Sequence, residues 1–180
     1  GSSNVAMGSL AGHNNTTADN NTAIGYSALK ENTTGTANTA IGGYTIHNNT
    51  TGNGNVALGY SALYRNTTGD DNIAIGRDTM PYNTTGHSNT AVGKGALTAN
   101  TTATYNTAVG KDASGGNTTG IHNISLGWRA RPNGTTGAHN VCVGSETGED
   151  MSTGARNTLI GYVAGQHITT NGDNLCVGYK

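Results

Sequence analysis

The sequence has few of the residues that build a conventional globular core. It contains no Phe, one Trp and two Pro among 180 residues, and Ile, Leu and Val together supply only 25 positions. That aliphatic share is too small for the thick core of an enzyme domain of this length. Charged residues make up only 11% of the chain, so the high charge typical of disordered chains is missing as well. An ordered structure without a thick core is therefore expected.

The shortage of charge and of long apolar runs argues against nucleic-acid and membrane partners. Nine Lys and Arg against ten Asp and Glu give no basic field that would attract nucleic acid or an anionic bilayer. No apolar run approaches the roughly 20 residues of a membrane span, so membrane insertion is not expected. No catalytic triad, phosphate loop or carboxylate pair stands out from the repetitive background, and we expect neither enzymatic activity nor a cofactor.

What the sequence does contain is a repeat of 17 residues without a single insertion. Its consensus is N-T-A-I-G-Y-S-A-L-x-x-N-T-T-G-x-x, nearly unaltered in residues 21–37 and 55–71. One repeat array covers the chain, with partial repeats at 1–3 and 174–180 and ten full repeats over 4–173. We call each repeat a coil and number its positions from the Asn, which stands at Asn4, Asn21, Asn38, Asn55, Asn72, Asn89, Asn106, Asn123, Asn140, Asn157 and Asn174.

A unit of this length favours strands and turns over helices. Helix-pair repeats need about 33 residues, and the Thr, Ile, Val and Gly content opposes helix formation. Each coil is predicted to hold a strand over positions 1–5, such as residues 21–25, a short second strand around Ala28 and Leu29, and an N-T-T-G turn. The predicted fold is an all-β parallel β-solenoid whose coils stack about 4.8 Å apart.

Alternation along the first strand sorts its positions into two faces. Positions 2 and 4 point the same way, and position 4 is apolar in every coil from Met7 to Val177. Position 3 points the opposite way and is Ala in the first seven strands, and position 8 is similarly small. We therefore expect a thin interior lined by Ala and an apolar rank that a lone chain leaves uncovered. Soluble monomers rarely expose such a patch, so self-association is expected.

The repeated N-T-A-I-G and N-V-A-L-G strands, each followed by A-L and a Gly turn, resemble the head repeats of trimeric autotransporter adhesins. They also resemble repeats of phage and prophage tail-fibre proteins that precede an endosialidase-type chaperone domain. The resemblance covers the whole chain and implies a left-handed β-roll, a homotrimer around a threefold axis, and surface attachment at a bacterial cell or a virion tail fibre. The unit here is longer than the adhesin unit and carries an added N-T-T-G turn, and these residues include no neck, stalk or anchor.

The repeated polar positions are interpreted as architecture. Identical Asn residues stacked at strand spacing can form hydrogen-bond ladders, and the Thr pair at positions 13 and 14 is interpreted as a turn with locally bonded hydroxyls. An ice-binding or carbohydrate-binding Thr face is the alternative. The N-T-T tripeptides also have the form of glycosylation sites, but glycans on every coil would crowd at about 4.8 Å, which favours a bacterial or viral source. The predicted ladder comprises Asn21, Asn38, Asn55, Asn72, Asn89 and Asn106.

Metal sites and intrachain disulfides are not expected. His122 and His139 occupy the same position in adjacent coils, but no Cys or carboxylate completes a ligand set. Cys142 and Cys176 lie two coils apart, about 9.6 Å, which exceeds the roughly 7 Å limit for a disulfide. Unpaired buried thiols are the prediction, and a bridge between chains is the alternative.

Specific recognition is expected at residues that vary between coils, and position 6 carries an aromatic and basic strip along one edge, which is therefore the candidate recognition surface. Its aromatic and basic residues suit stacking on sugars or contact with an anionic polysaccharide, whereas shielding of the roll edge or of a chain interface is the alternative. We predict a structural or adhesive extracellular fibre segment with a host or cell-surface glycan as candidate ligand; the alternatives are a subunit of an end-to-end filament and an ice-binding solenoid. The candidate residues are Tyr26, Tyr60, Arg77, Lys94, Lys111, Trp128 and Tyr162, extended by Tyr64, Tyr82, Tyr105 and Arg129.

Overall fold

Eleven short parallel strands form one sheet, and each strand pairs with the strands one coil before and one coil after it. The computed structural model describes all 180 residues, Gly1–Lys180. The register is constant, so that Ala40 lies opposite Ala57, 17 positions later. The predicted all-β solenoid of 17-residue coils is thus confirmed, with no helix in the chain.

Each strand spans positions 2–4 of its coil, three residues rather than the five predicted. The strands are β1 Val5–Met7, β2 Thr22–Ile24, β3 Thr39–Ile41, β4 Val56–Leu58, β5 Ile73–Ile75, β6 Thr90–Val92, β7 Thr107–Val109, β8 Ile124–Leu126, β9 Val141–Val143, β10 Thr158–Ile160 and β11 Leu175–Val177.

Backbone pairing between coils extends well beyond these strands. Of 112 backbone hydrogen bonds, only 20 lie within the strands. The Ser27 N–H donates to Ser9 on the preceding coil at 2.9 Å, and the Leu29 N–H donates to Thr45 on the following coil at 3.0 Å. Each coil is therefore held to both neighbours along its turns as well as its strand, which orders a chain with little apolar core.

The predicted second strand around Ala28 and Leu29 is wrong, because this segment is a succession of turns. The φ angle is +53° at Ser27 and +50° at Leu29, in the left-handed region that strands do not use. The turns point the adjacent residues Ala28 and Leu29 both inward, and both are fully buried. A strand would have sent one of the two outward.

Glycine at position 5 is required by the close approach of successive coils. The φ of Gly59 is +131°, and a Cβ there would lie 2.6 Å from the carbonyl oxygen of Gly76. Only glycine tolerates both the angle and the contact. This explains why every coil carries Gly at this position.

The interior is wider than position 3 alone predicts. Position 3 is buried as expected from Ala23 to Leu159, and position 9 contributes large side chains that meet it from the opposite wall. These position-9 residues, all fully buried, are Leu29, Ile46, Leu63, Met80 and Leu97.

In the last coils the interior is filled by large side chains from positions other than position 9. Position 9 becomes Gly148, and a Cβ on it would contact the side chains of Leu159, Met151 and Cys142. These three residues form a second buried apolar cluster, separate from the one that runs through the earlier coils. Position 9 is now small and position 3 is now larger, so the interior remains closely packed.

A polar layer separates the two apolar clusters. The hydroxyls of Ser114 and Ser125 form a buried hydrogen bond of 2.7 Å. Beside them Arg131 occupies position 9 and is fully buried. Burial lowers the pKa of its guanidinium to about 10, so it is still a cation at neutral pH, with no carboxylate partner.

Candidate functional site

Positions 2 and 4 of every coil form a continuous, uncharged and mostly apolar surface, which we call the sheet face. Its side chains are only Val, Ile, Leu, Met and Thr, and none is charged. Twelve large aliphatic side chains (Val, Ile, Leu or Met) of the protein are well exposed, and two of them, Leu10 and Ile121, lie elsewhere. The other ten lie on the sheet face: Val5, Met7, Val56, Leu58, Ile73, Val109, Ile124, Ile160, Leu175 and Val177.

The sheet face is as large as the largest apolar patches of typical soluble monomers. Ten inter-strand steps of about 4.8 Å and a width of roughly 10 Å give an area of about 500 Å². Exposed apolar patches of this size on soluble proteins commonly mark an interaction surface. The uncovered apolar rank expected from the sequence is therefore present on the isolated chain.

The Asn residues at position 1 form a buried ladder along the solenoid. Asn55 donates from its backbone N–H to Asn38 Oδ1 at 2.9 Å, and from Nδ2 to the Gly69 carbonyl of its own coil at 2.8 Å. Asn72 repeats the first contact on Asn55 at 3.0 Å. The side chains thus bind one coil to the next and close each coil on itself.

A second Asn ladder, at position 12, was not foreseen. Asn66 Nδ2 donates to Asn49 Oδ1 at 2.8 Å and to the Gly69 carbonyl at 2.8 Å, the same carbonyl that accepts from Asn55. The repetition of Asn at two positions of the consensus was a signal for two ladders. In each N-T-T tripeptide this Asn is the residue to which a glycan would be attached. Because its side chain is buried, these glycosylation sites are closed in the folded chain. They are Asn32, Asn49, Asn66, Asn83, Asn100 and Asn117, all fully buried.

The two Thr positions have different roles. The position-13 hydroxyls bond between coils, not locally as predicted: Thr33 Oγ1 donates to the Thr50 carbonyl at 2.9 Å. The position-14 residues, such as Thr34 and Thr51, are exposed along the whole rod. The Thr pair thus offers a single outward rank.

The candidate strip at position 6 divides into separate groups, and its N-terminal group is an aromatic cluster of five rings. Tyr44 lies at its centre, with ring centroids 5.2 Å from Tyr26, 5.8 Å from Tyr60 and 6.4 Å from Tyr64. His47 stacks on Tyr64 at 5.2 Å. Partial burial against these rings raises the pKa of the Tyr44 hydroxyl.

Sequence reasoning missed the centre of this cluster. Coil 3 carries Gly43 at position 6, where both neighbouring coils carry Tyr, and Tyr44 stands one position later. A Cβ on Gly43 would lie 3.4 Å from the ring of Tyr60, so the missing side chain leaves room for that ring. The exchange of Y-S for G-Y in this coil was the available signal.

The basic members of the strip are mostly engaged by acidic neighbours. Arg77 pairs with Asp78 at 3.4 Å and Lys111 pairs with Asp112 at 3.7 Å, both on the surface. Lys94, between them, is exposed. Exposed pairs of this kind contribute about 0–1 kcal/mol each and leave little net positive charge along this stretch.

Trp128 and Tyr162 lie in a third group nearer the C-terminus. The guanidinium of Arg129 lies 5.7 Å from the Trp128 ring and pairs with Glu149 at 3.2 Å. Tyr162 packs on Tyr179 at 5.7 Å, and the charge of nearby Glu146 raises the pKa of its hydroxyl.

Tyr105 belongs to a different edge of the rod, at position 17. Its ring stacks on His122 at 4.9 Å, and His122 stacks on His139 at 5.0 Å. His87 meets Tyr105 edge-on at 5.2 Å. Three or more potential ligands for one metal ion are not grouped anywhere in the protein.

Both cysteines are free thiols, as predicted for one chain. Burial raises the pKa of Cys142 to about 12. Cys176 is half-buried near the C-terminal end.

Comparisons with known proteins return nothing: no family model, curated protein or solved structure matches the chain. No helix of the protein has the length and apolar character needed to span a bilayer. The resemblance to adhesin heads and tail fibres accordingly rests on the repeated motif alone.

Proposed function

We propose that the chain is a rigid segment of an extracellular fibre, at a bacterial surface or in a virion tail, whose copies pack through the sheet face. The observation that carries the proposal is the concentration of exposed aliphatic side chains on that face. Three narrow faces meeting around one axis would bury one another and leave the variable position-6 edges outside. The threefold arrangement comes from the resemblance to adhesin heads.

The apolar area suits such an assembly. Burying about 500 Å² per chain contributes roughly 12 kcal/mol at about 25 cal/mol per Å². This is comparable with the roughly 4–15 kcal/mol that association costs in lost freedom, so polar contacts at the rim of the face decide the affinity. No charged side chain on the face has to be desolvated.

Adhesion is the second part of the proposal, and it concerns the outward edges. Asn ladders and Gly at position 5 repeat along the rod, whereas the aromatic cluster occurs once. A repeated feature is suited to holding the rod together, and a local cluster of exposed rings is suited to binding a specific ligand such as a glycan.

Light scattering of the native chain at several concentrations tests the self-association. A constant mass of three times 18.2 kDa is expected. The double variant Ile73→Asp/Ile124→Asp places charges on the sheet face and should give the mass of one chain, with an unchanged circular dichroism spectrum.

Ile121→Asp is the matched control, because Ile121 and Ile124 are exposed to 37% and 40% but only Ile124 lies on the sheet face. This variant should keep the native mass. A monomeric or dimeric native chain would contradict the threefold assembly, and a mass that climbs with concentration would indicate an end-to-end filament instead.

A further inference from the structure

A groove opens beside the aromatic cluster, across coils 4 to 6. Its volume is about 310 Å³, at the lower end of the roughly 300–1,000 Å³ of small-ligand sites. The bulky side chains that flank the groove stand at positions 10 and 11, namely Tyr64, Arg65 and Tyr82, whereas Ser61 and Asp78 at position 7 are half-buried. Its lining residues are Ser61, Tyr64, Arg65, Asp78, Pro81, Tyr82 and Thr98.

The walls of the groove are held in place by contacts outside it. The Tyr64 ring is stacked on His47 at 5.2 Å, and Thr98 Oγ1 donates to the Gly95 carbonyl at 2.6 Å. The hydroxyl of Thr98 therefore faces a ligand as an acceptor. A site whose side chains are already fixed loses little conformational entropy on binding.

Arg65 is the one basic residue that lines this groove, and its guanidinium has no acidic partner. Its Cζ lies 5.0 Å from the centroid of the Tyr82 ring, and none of the seven ion pairs of the protein includes it. Asp78 is already paired with Arg77 at 3.4 Å. The guanidinium of Arg65 is thus free to bind a carboxylate in the two-point geometry that arginine favours.

We propose that this groove binds a carboxylated sugar residue of an acidic polysaccharide. The carboxylate lies on the guanidinium of Arg65, the pyranose ring packs on the face of Tyr64 or Tyr82, and ring hydroxyls donate to Asp78 and Thr98. A neutral sugar would use the aromatic faces but would leave Arg65 without a partner. The inference rests on the adhesive part of the proposed function and names its ligand class.

Titration calorimetry of the full chain tests the proposal with four probes. Trigalacturonic acid and N-acetylneuraminic acid carry the carboxylate on a sugar ring, maltotriose carries only the ring, and acetate carries only the carboxylate. At least one acidic sugar should bind at least tenfold more tightly than maltotriose or acetate, and its binding should weaken with added salt. Which of the two binds distinguishes a uronate-type ligand from a sialate-type ligand.

Arg65→Gln should weaken binding of the acidic sugar at least tenfold, because it removes the charge and keeps a polar side chain. Tyr64→Leu should weaken binding by removing a ring face. Arg156→Gln is the matched control, since Arg156 lies on a distant coil and pairs with Asp173 at 2.6 Å. This variant should bind the acidic sugar with the affinity of the native chain.

Equal affinity for maltotriose and both acidic sugars, or full binding by Arg65→Gln, would overturn the proposal. Absence of binding by all four probes would overturn it as well. The groove residues lie off the sheet face, so the mass of each variant by light scattering reports separately on the assembly. A trimer that binds none of the probes refutes the groove alone.

Discussion

The buried guanidinium of Arg131 shows how one coil can depart from the consensus and still bond to its neighbours. Arg131 Nη2 donates to the Gly137 carbonyl at 2.8 Å and Nη1 donates to Asn117 Oδ1 at 3.2 Å. Those acceptors are the ones an Asn at position 12 would use. Position 12 is Gly134 in this coil, and a Cβ there would collide with the guanidinium. The Leu-to-Arg and Asn-to-Gly changes therefore compensate each other.

Restoring the consensus should reveal this compensation. We expect Arg131→Leu/Gly134→Asn to be more stable than the native chain by about 1–4 kcal/mol, because a buried charge without a carboxylate is replaced by a well-packed apolar side chain and a ladder amide. Urea denaturation followed by circular dichroism measures the change.

The single variants supply the control for this exchange. Gly134→Asn alone should be destabilised by about 1–3 kcal/mol through overpacking against Arg131. Arg131→Leu alone should also lose stability, because it leaves a cavity at Gly134 and removes a donor from Asn117. Additive single effects would show that the two positions are not coupled.

The thiol of Cys142 should be inert in the folded chain. At pH 8 a thiol with a pKa of about 12 holds almost no thiolate, so a disulfide reagent should modify Cys176 and spare Cys142 until urea is added. The ordinary thiol pKa is 9.0, so as the pH rises the unfolded chain loses this proton before the folded chain does. Deprotonation therefore stabilises the unfolded state, and the free energy of unfolding should fall between pH 9 and pH 12. Cys142→Ala should show a smaller alkaline loss, and an identical pH profile would contradict the assignment.

At the scale of the element, the sequence predicts the structure wherever the same residue type recurs at the same position of every coil. The period, the parallel pairing and the inward Ala of position 3 all follow from invariant columns, so they could be predicted. The turns of positions 6–11 could not, because positive φ at residues such as Leu29 and Ile46 contradicts their ordinary preference and is imposed by contacts between coils. The aromatic cluster was predictable only in part, since the displaced Tyr44 carries its centre.

The second Asn ladder should be a main source of order between coils. Asn66→Ala removes the donor to Asn49 and to the Gly69 carbonyl, and removes the acceptor at 2.8 Å for Asn83. Because these groups are buried, we expect a loss of about 2–4 kcal/mol in urea denaturation. Thr68→Ala, two residues away on the surface, should change stability by less than about 0.5 kcal/mol. Equal effects of the two variants would show that the ladder contributes nothing special.

For the whole molecule, contacts between neighbouring coils are almost the only tertiary contacts, so the rod should tolerate changes of length in whole coils. Deleting residues 89–105 removes 17 residues and keeps every position in register. This variant should fold with a small loss of stability, equal to one coil and one interface. Deleting 16 residues, 89–104, shifts all later positions by one and should abolish folding of the following coils. Circular dichroism and thermal unfolding of the two variants distinguish these outcomes.

The backbone hydrogen bonds that join coil to coil run along the axis of the rod, so tension applied to its two ends pulls on them directly. Force would detach one coil at a time from an end rather than shear many strands together. Each detached coil frees 17 residues, which extend the chain by on the order of 50 Å. A rod built this way would lengthen in equal steps under load and recover by rewinding.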